Sequence, residues 1–298
     1  MSVQEPWVMA VHADTVGADE RDLIARSVED AIAGDRAIML STCHRVELYG
    51  LGTMPDLDAR LKAETGELAV LHLMRVASGL ESAIIGEDEV LHQVRSALGN
   101  ARAARSVDPR LQRLFETAIA AGRRARAGRT ASSANLAQRA VAWLQQRSTL
   151  AGRGVLIVGA GRMGSSLAHS ARLAGADVTI ASRNPARAQR LAHVYGGRGI
   201  DLASGAELAP KSAGIAVALA GVWHEFQPAE GDLPPIADIS APSAVPAAVR
   251  TRLNGGFLGI DDLYVRTQPA PRGYIEEADR VVAAKTREFV RWLDGGRS

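Results

Sequence analysis

The chain opens on an apolar run at 8–12, followed over 18–32 by Leu23, Ile24, Val28 and Ile32 at helical spacing. Short apolar segments at 37–40 and 46–51 read as two further strands. Strand, helix, strand and strand in that order predict a small α+β domain. From residue 59 the pattern turns helical, with helices expected over 68–77, 82–101, 109–127 and 134–147. Ser132 or Ser133 is placed to cap the last of these. A change in composition at 151–154 marks a domain boundary. Beyond it, the continuous apolar run 155–158 reads as a buried strand, 165–174 as a helix and 177–182 as a second strand. Short apolar segments at 213–220, 236–239 and 256–260 extend an open parallel sheet. The chain ends in a helix, with Ile275, Ala278, Val281, Val282, Phe289, Val290 and Leu293 on one stripe. That stripe either packs back on the chain or offers a surface to a partner.

Composition bounds this picture. With 298 residues, 47% of them apolar and 23% charged, the chain is long enough for two domains and excludes disorder. Its single cysteine excludes a disulfide framework and suits a reducing cytoplasm. The first residues lack a signal-peptide pattern and no apolar run approaches a membrane span, so a soluble cytoplasmic protein is expected. The net charge of +2 does not by itself argue for nucleic acid. Its distribution says more: Arg102, Arg105, Arg110, Arg113, Arg123, Arg124, Arg126 and Arg129 face only Asp108 and Glu116 over that stretch. Such a run either binds phosphates or is a solvated helix face.

Two segments carry chemistry. The first is Gly159-Ala160-Gly161-Arg162-Met163-Gly164, a G-x-G-x-x-G with a strand before it, a helix after it and a second strand closing the unit. In that setting it predicts a Rossmann-type domain whose glycines admit a pyrophosphate at a helix N-terminus. The second strand ends on Ser182 and Arg183 instead of the acidic residue that meets an unphosphorylated ribose, which favours NADPH over NADH. The second segment is Leu40-Ser41-Thr42-Cys43-His44-Arg45, a lone thiol at a strand end among hydroxyls and basic groups. Positive neighbours favour the thiolate, which can attack an acyl carbon. A buried structural cysteine is the other reading of the same residues. A thiolate and a hydride donor together equip a chain to reduce an activated acyl group to an aldehyde.

The segment Ser41 to Tyr49 resembles the active-site signature of glutamyl-tRNA reductases. The blocks 72–82 and 86–95, the glycine motif, 237–242 and 260–264 continue the likeness in family order over roughly residues 8 to 293. The resemblance implies an α/β multi-domain chain. It comprises an N-terminal α+β catalytic and substrate domain over 1–148, a Rossmann-type NADP-binding domain over 149–265 and a C-terminal helix over 266–298. It implies that Cys43 attacks the ester joining glutamate to tRNA, leaving a thioester that NADPH reduces to glutamate 1-semialdehyde, the first step towards 5-aminolevulinate and tetrapyrroles. By the same likeness His72 serves catalysis, Arg45 holds the substrate carboxylate, and Thr42, His44, Ser82, Glu87, Asp88, Glu89 and Gln93 contact substrate. The 159–164 motif, Ser182 and Arg183 hold the cofactor, no metal is implied, and tRNA is the partner for some of the arginines.

The chain departs from the family in places. His44 stands where the family usually has asparagine, and His12-Ala13-Asp14-Thr15-Val16-Gly17 differs from its Asn-His-Lys-Thr-Ala-Pro run. The family's C-terminal dimerisation domain is expected to be absent, which leaves monomer and dimer open. A relative acting on another aminoacyl-tRNA or acyl donor, and a non-catalytic tRNA-binding paralogue, are the alternatives.

Overall fold

A computed structural model describes residues 5–32, 37–82, 85–86, 88–104, 106–127, 136–228, 231–265 and 272–295. The proposed cap at Ser132 or Ser133, as well as Glu87, Arg105 and Arg129, lies outside the described residues. The chain divides into two compact units, residues 1–133 with 267–298, and residues 134–266.

In the first unit the elements are β1 (Pro6–His12), α1 (Ala18–Ala31), β2 (Ile38–Ser41), β3 (Arg45–Leu51), β4 (Lys62–Thr65), α2 (Gly66–Ala77), α3 (Glu89–Ala104) and α4 (Pro109–Arg126). The strands form an antiparallel sheet in the order β2-β3-β1-β4. Because side chains alternate across a strand, β1 sends Trp7, Met9 and Val11 to one face. There they bury against Ile24 and Val28 of α1. Val8 and Ala10 go to the other face, into a larger core built from α2, α3 and α4.

β4 corrects the expectation that the chain is helical from residue 59. It is an exposed edge strand, Lys-Ala-Glu-Thr, held by backbone pairing to β1, so it leaves no apolar alternation to read. α3 likewise starts at Glu89, not at residue 82. Gly79 and Gly86 both sit at positive φ, and the Gly86 N–H donates to Gly79 O at 2.9 Å, closing a loop where a helix was expected.

The second unit contains α5 (Leu136–Gln145), β5 (Gly154–Val158), α6 (Arg162–Leu173), β6 (Asp177–Ala181), α7 (Pro185–Val194), β7 (Arg198–Ile200), α8 (Leu202–Leu208), β8 (Gly214–Val217), β9 (Ile236–Asp238), α9 (Ala247–Arg250), β10 (Phe257–Leu258) and α10 (Ile260–Val265). Its six strands run parallel in the order β10-β9-β8-β5-β6-β7. This is the doubly wound, Rossmann-type sheet expected of a β-α-β-α sequence.

The units cut the chain differently from a linear division at 148 and 265. α5 packs on α6, β8 and β9, so it belongs with the parallel sheet. The terminal helix, α11 (Arg272–Gly295), returns to the first unit and packs on α4 and α2. Its stripe is therefore filled from within: Ala278, Val281, Val282 and Phe289 are buried in the first core, and Tyr274 donates to Ser78 O at 2.6 Å. Among the described residues, no helix is long and apolar enough to cross a membrane.

Candidate active site

The lone cysteine sits on the three-residue connection between β2 and β3, and the loop is fixed from several sides. Thr42 Oγ1 accepts the N–H groups of His44 and Arg45, each at 3.2 Å, and the Thr42 N–H donates to Arg45 O at 2.9 Å. The His44 carbonyl accepts the Ala13 N–H, and the buried Arg21 donates to Cys43 O at 2.5 Å. Cys43 is a partly exposed thiol outside any disulfide, and its Sγ lies 3.6 Å from Nδ1 of the buried His44. Thr42 thus shapes the loop, and His44 is the ring nearest the sulfur.

The next strand carries a polar cluster inside an apolar sheet. Arg45, Glu47 and Tyr49 alternate on β3, so all three point to the face covered by α2, and α2 contributes His72. Register brings His12 of β1 opposite Arg45. Oε1 of Glu47 receives Nε2 of His12, Nε2 of His72 and Nη1 of Arg45, each at 3.0 Å, and Oε2 receives the Tyr49 hydroxyl at 2.5 Å. Four donors saturate a carboxylate that is fully buried. Since a carboxylate only accepts, both imidazoles carry a proton on Nε2. Their rings stack, with centroids 5.7 Å apart and an interplanar angle of 15°.

Charge follows from these contacts. Burial alone would push the Glu47 carboxyl up, but the charges of His72 and Arg45 and the imidazole hydrogen bonds hold it well below the usual carboxylate range. Burial would lower His72, and Glu47 reverses this, raising it above an ordinary histidine. Burial and the Glu47 charge both push Tyr49 up, so it stays a neutral donor. Burial pulls Arg45 down, and Glu47, together with smaller contributions from Tyr49 and Glu81, leaves it raised.

Arg45 also donates through Nη2 to the carbonyl of Glu81, which brings the strand cluster beside Ser82. Ser82 is buried, and its hydroxyl finds no hydrogen-bond partner among the described residues. The other expected substrate contacts lie apart from this cluster. Asp88 is exposed and pairs with Nε of Arg126 at 3.3 Å, and Glu89 opens α3. Gln93 faces a cavity of about 710 Å³ together with Ser41, the residue that begins the cysteine loop. Reading the residues one at a time missed Glu47, Tyr49 and His12. The i, i+2, i+4 spacing of Arg45, Glu47 and Tyr49 on one strand was the available signal.

The glycine motif divides by the room around each residue. A Cβ on Gly159 would lie 2.1 Å from Ala218 O, and one on Gly164 would lie 1.9 Å from Gly159 O, so both are required by close backbone approach. Gly161 differs: a Cβ there meets nothing within 4 Å, and the residue is the N-cap of α6 without a side-chain cap. Open space before a bare helix N-terminus is what a pyrophosphate needs. Ser182 is buried at the end of β6 with its hydroxyl accepting the Asn184 N–H, and Arg183 is exposed beside it. These residues fit a dinucleotide.

Comparison with known proteins agrees with this division. The family model of the glutamyl-tRNA reductase N-terminal domain matches residues 14–128, and that of shikimate/quinate 5-dehydrogenase matches 140–265. The glutamyl-tRNA reductase of Rubrobacter xylanophilus is 33% identical, over 86% of this chain and 68% of its own. That of Thermus thermophilus is 31% identical, over 88% of this chain and 73% of its own. The solved glutamyl-tRNA reductase of Methanopyrus kandleri aligns with 98% of this chain and 80% of its own, at 24% identity and a TM-score of 0.47.

Proposed function

The chain belongs to the glutamyl-tRNA reductase family, and we propose that it reduces glutamyl-tRNA to glutamate 1-semialdehyde with NADPH, in the cytoplasm. The observation that carries this reading is the clamped loop presenting a partly exposed Cys43 thiol 3.6 Å from an imidazole nitrogen, next to the Arg45–Glu47–His72 cluster. His44 is placed to take the thiol proton, leaving a thiolate to attack the aminoacyl ester carbon. The ester C–O bond then breaks, tRNA leaves with its 3′ oxygen, and the glutamyl group stays on sulfur as a thioester. His72, whose Nε2–H is committed to Glu47 and which that carboxylate raises above an ordinary histidine, can supply the Nδ1 proton of its imidazolium to a developing oxyanion or alkoxide. NADPH, when bound, supplies the hydride that takes the thioester to the aldehyde level.

The remaining assignments rest on the same fit. Arg45 has five N–H groups, of which two are spent on Glu47 and Glu81, so a substrate carboxylate would meet the others. Ser82 offers beside it a hydroxyl that has no hydrogen-bond partner among the described residues. Thr42, His44 and Gln93 border the same loop or the cavity next to it, Asp88 would act from just before α3 and Glu89 from its first residue, and Glu87 keeps the substrate contact that the family likeness implies. Gly159 to Gly164 would take the pyrophosphate, and Ser182 and Arg183 would meet a 2′-phosphate.

For tRNA, four arginines of α3 and α4 are available. Arg95, Arg102, Arg123 and Arg124 line a groove of about 660 Å³. Arg110 instead caps its own helix through Asp108, Arg113 stacks 4.3 Å from the Trp292 ring, and Arg126 donates to Ala77 O and Gly122 O. Among the described residues of this stretch, the groove set is the one left for phosphates.

The test is to offer purified protein a panel of charged tRNAs and follow NADPH loss and aldehyde. Glutamyl-tRNA alone should react, and Cys43→Ser should abolish turnover. Reaction with a different aminoacyl-tRNA would move the substrate assignment, and full activity in Cys43→Ser would overturn the thioester.

A further inference from the structure

The polar cluster of the first unit has a second use that does not depend on the reductase reading. We propose that His12, Glu47 and His72 form a binding site for a divalent transition metal of the Zn²⁺ type. Their donor atoms, one from each residue, all lie within 4.8 Å of one another. Both imidazole nitrogens stand 3.0 Å from the same Glu47 oxygen. Ligands held at 2.0–2.1 Å in a tetrahedron are separated by about 3.3 Å, so the three groups need only small shifts to close on an ion. The rings are near-parallel, and both Nε2 atoms converge on the one Glu47 oxygen.

Two imidazoles and one carboxylate make a three-ligand set with an open fourth position. Access comes past His12, whose side chain is 31% exposed while that of Glu47 is fully buried. The groups behind the ligands have the form that orients a metal site. Tyr49 holds the other carboxylate oxygen, Arg45 occupies the second lone pair of Oε1, and Glu64 Oε2 lies 3.9 Å from Nδ1 of His72. On binding, each Nε2 gives up the proton it donates to Glu47, to its own Nδ1 or to solvent, and turns the lone pair so freed to the ion. The Arg45 charge opposes the ion, which makes the site weaker than the same three ligands without it. An ion there would also withdraw His72 and Glu47 from any reaction they serve.

The test uses the full-length protein and Co²⁺ alone as the probe, because tetrahedral Co²⁺ absorbs visibly and octahedral Co²⁺ hardly does. One equivalent should bind with an intense visible band, and added Zn²⁺ should bleach it. His12→Asn should weaken binding by at least about 100-fold while circular dichroism confirms the fold. His72→Gln should do the same, and Cys43→Ser should leave the band unchanged. Absence of the band in the unmodified protein, its retention in His12→Asn, or its loss in Cys43→Ser would each overturn the site. None of these readouts involves substrate, so a failure here leaves the reductase reading untouched.

Discussion

At the scale of single residues, Glu47 is the residue on which its neighbours depend. It is a buried carboxylate that gathers two histidines, an arginine and a tyrosine. Removing its charge leaves Arg45 buried without a counterion, so Glu47→Gln should cost about 3–5 kcal/mol of stability, read by urea unfolding. His72→Gln separates the chemical role from the structural one. Its side chain is 14% exposed where that of Glu47 is fully buried, and loss of the proton transfer proposed for it should lower kcat by about 10²–10⁴-fold with the fold kept.

Individual elements carry two further predictions. α4 begins with Pro109 after Asp108, whose side chain accepts the Arg110 N–H at 2.8 Å and pairs with its guanidinium. The hydrogen bond from Arg110 holds the Asp108 carboxyl below its ordinary value. A depressed carboxyl stabilises the fold above its unfolded pKa, about 3.9, and that contribution is lost as pH falls through the folded value. Asp108→Ala should therefore cost about 0.5–2 kcal/mol at neutral pH, and the difference from the parent should vanish in acid melts. In the strand-to-helix turn before α6, two glycine replacements should behave oppositely. Gly164→Ala collides with the Gly159 carbonyl and should destabilise the second unit by about 1–3 kcal/mol. Gly161→Ala meets no protein atom within 4 Å, so thermal stability should hold while affinity for the proposed NADPH falls, as fluorescence titration would show.

The whole molecule adds the surface proposed for tRNA and the return of the last helix. The arginine-rich stretch is divided by its partners: some guanidinium groups are spent on caps, ring stacking and carbonyls, and those of the α3–α4 groove face solvent. Replacing Arg123 and Arg124 together with alanine should lower the slope of log affinity against log salt by about 2. The same change at Arg110 and Arg113 should leave that slope alone and lower stability instead, measured by filter binding and melting in parallel.

The sequence by itself determined the parts whose physics is local. Hydrophobic period located β1, α1, β2, β3 and the buried strands of the parallel sheet. Glycine spacing located the nucleotide turn, and linked motifs named the family. Local pattern did not show β4, which has no apolar face, or the loop that delays α3, which two positive-φ glycines hold open. Tertiary structure alone decided what long-range pairing controls. It sent α5 to the second unit and α11 back to the first, because each stripe buries where a complementary face lies, however distant in the chain. It also turned Cys43, Arg45 and His72 from separate candidates into neighbours of one clamped loop and one buried carboxylate. Strand register and helix packing set those distances, and neither can be read from spacing along the chain.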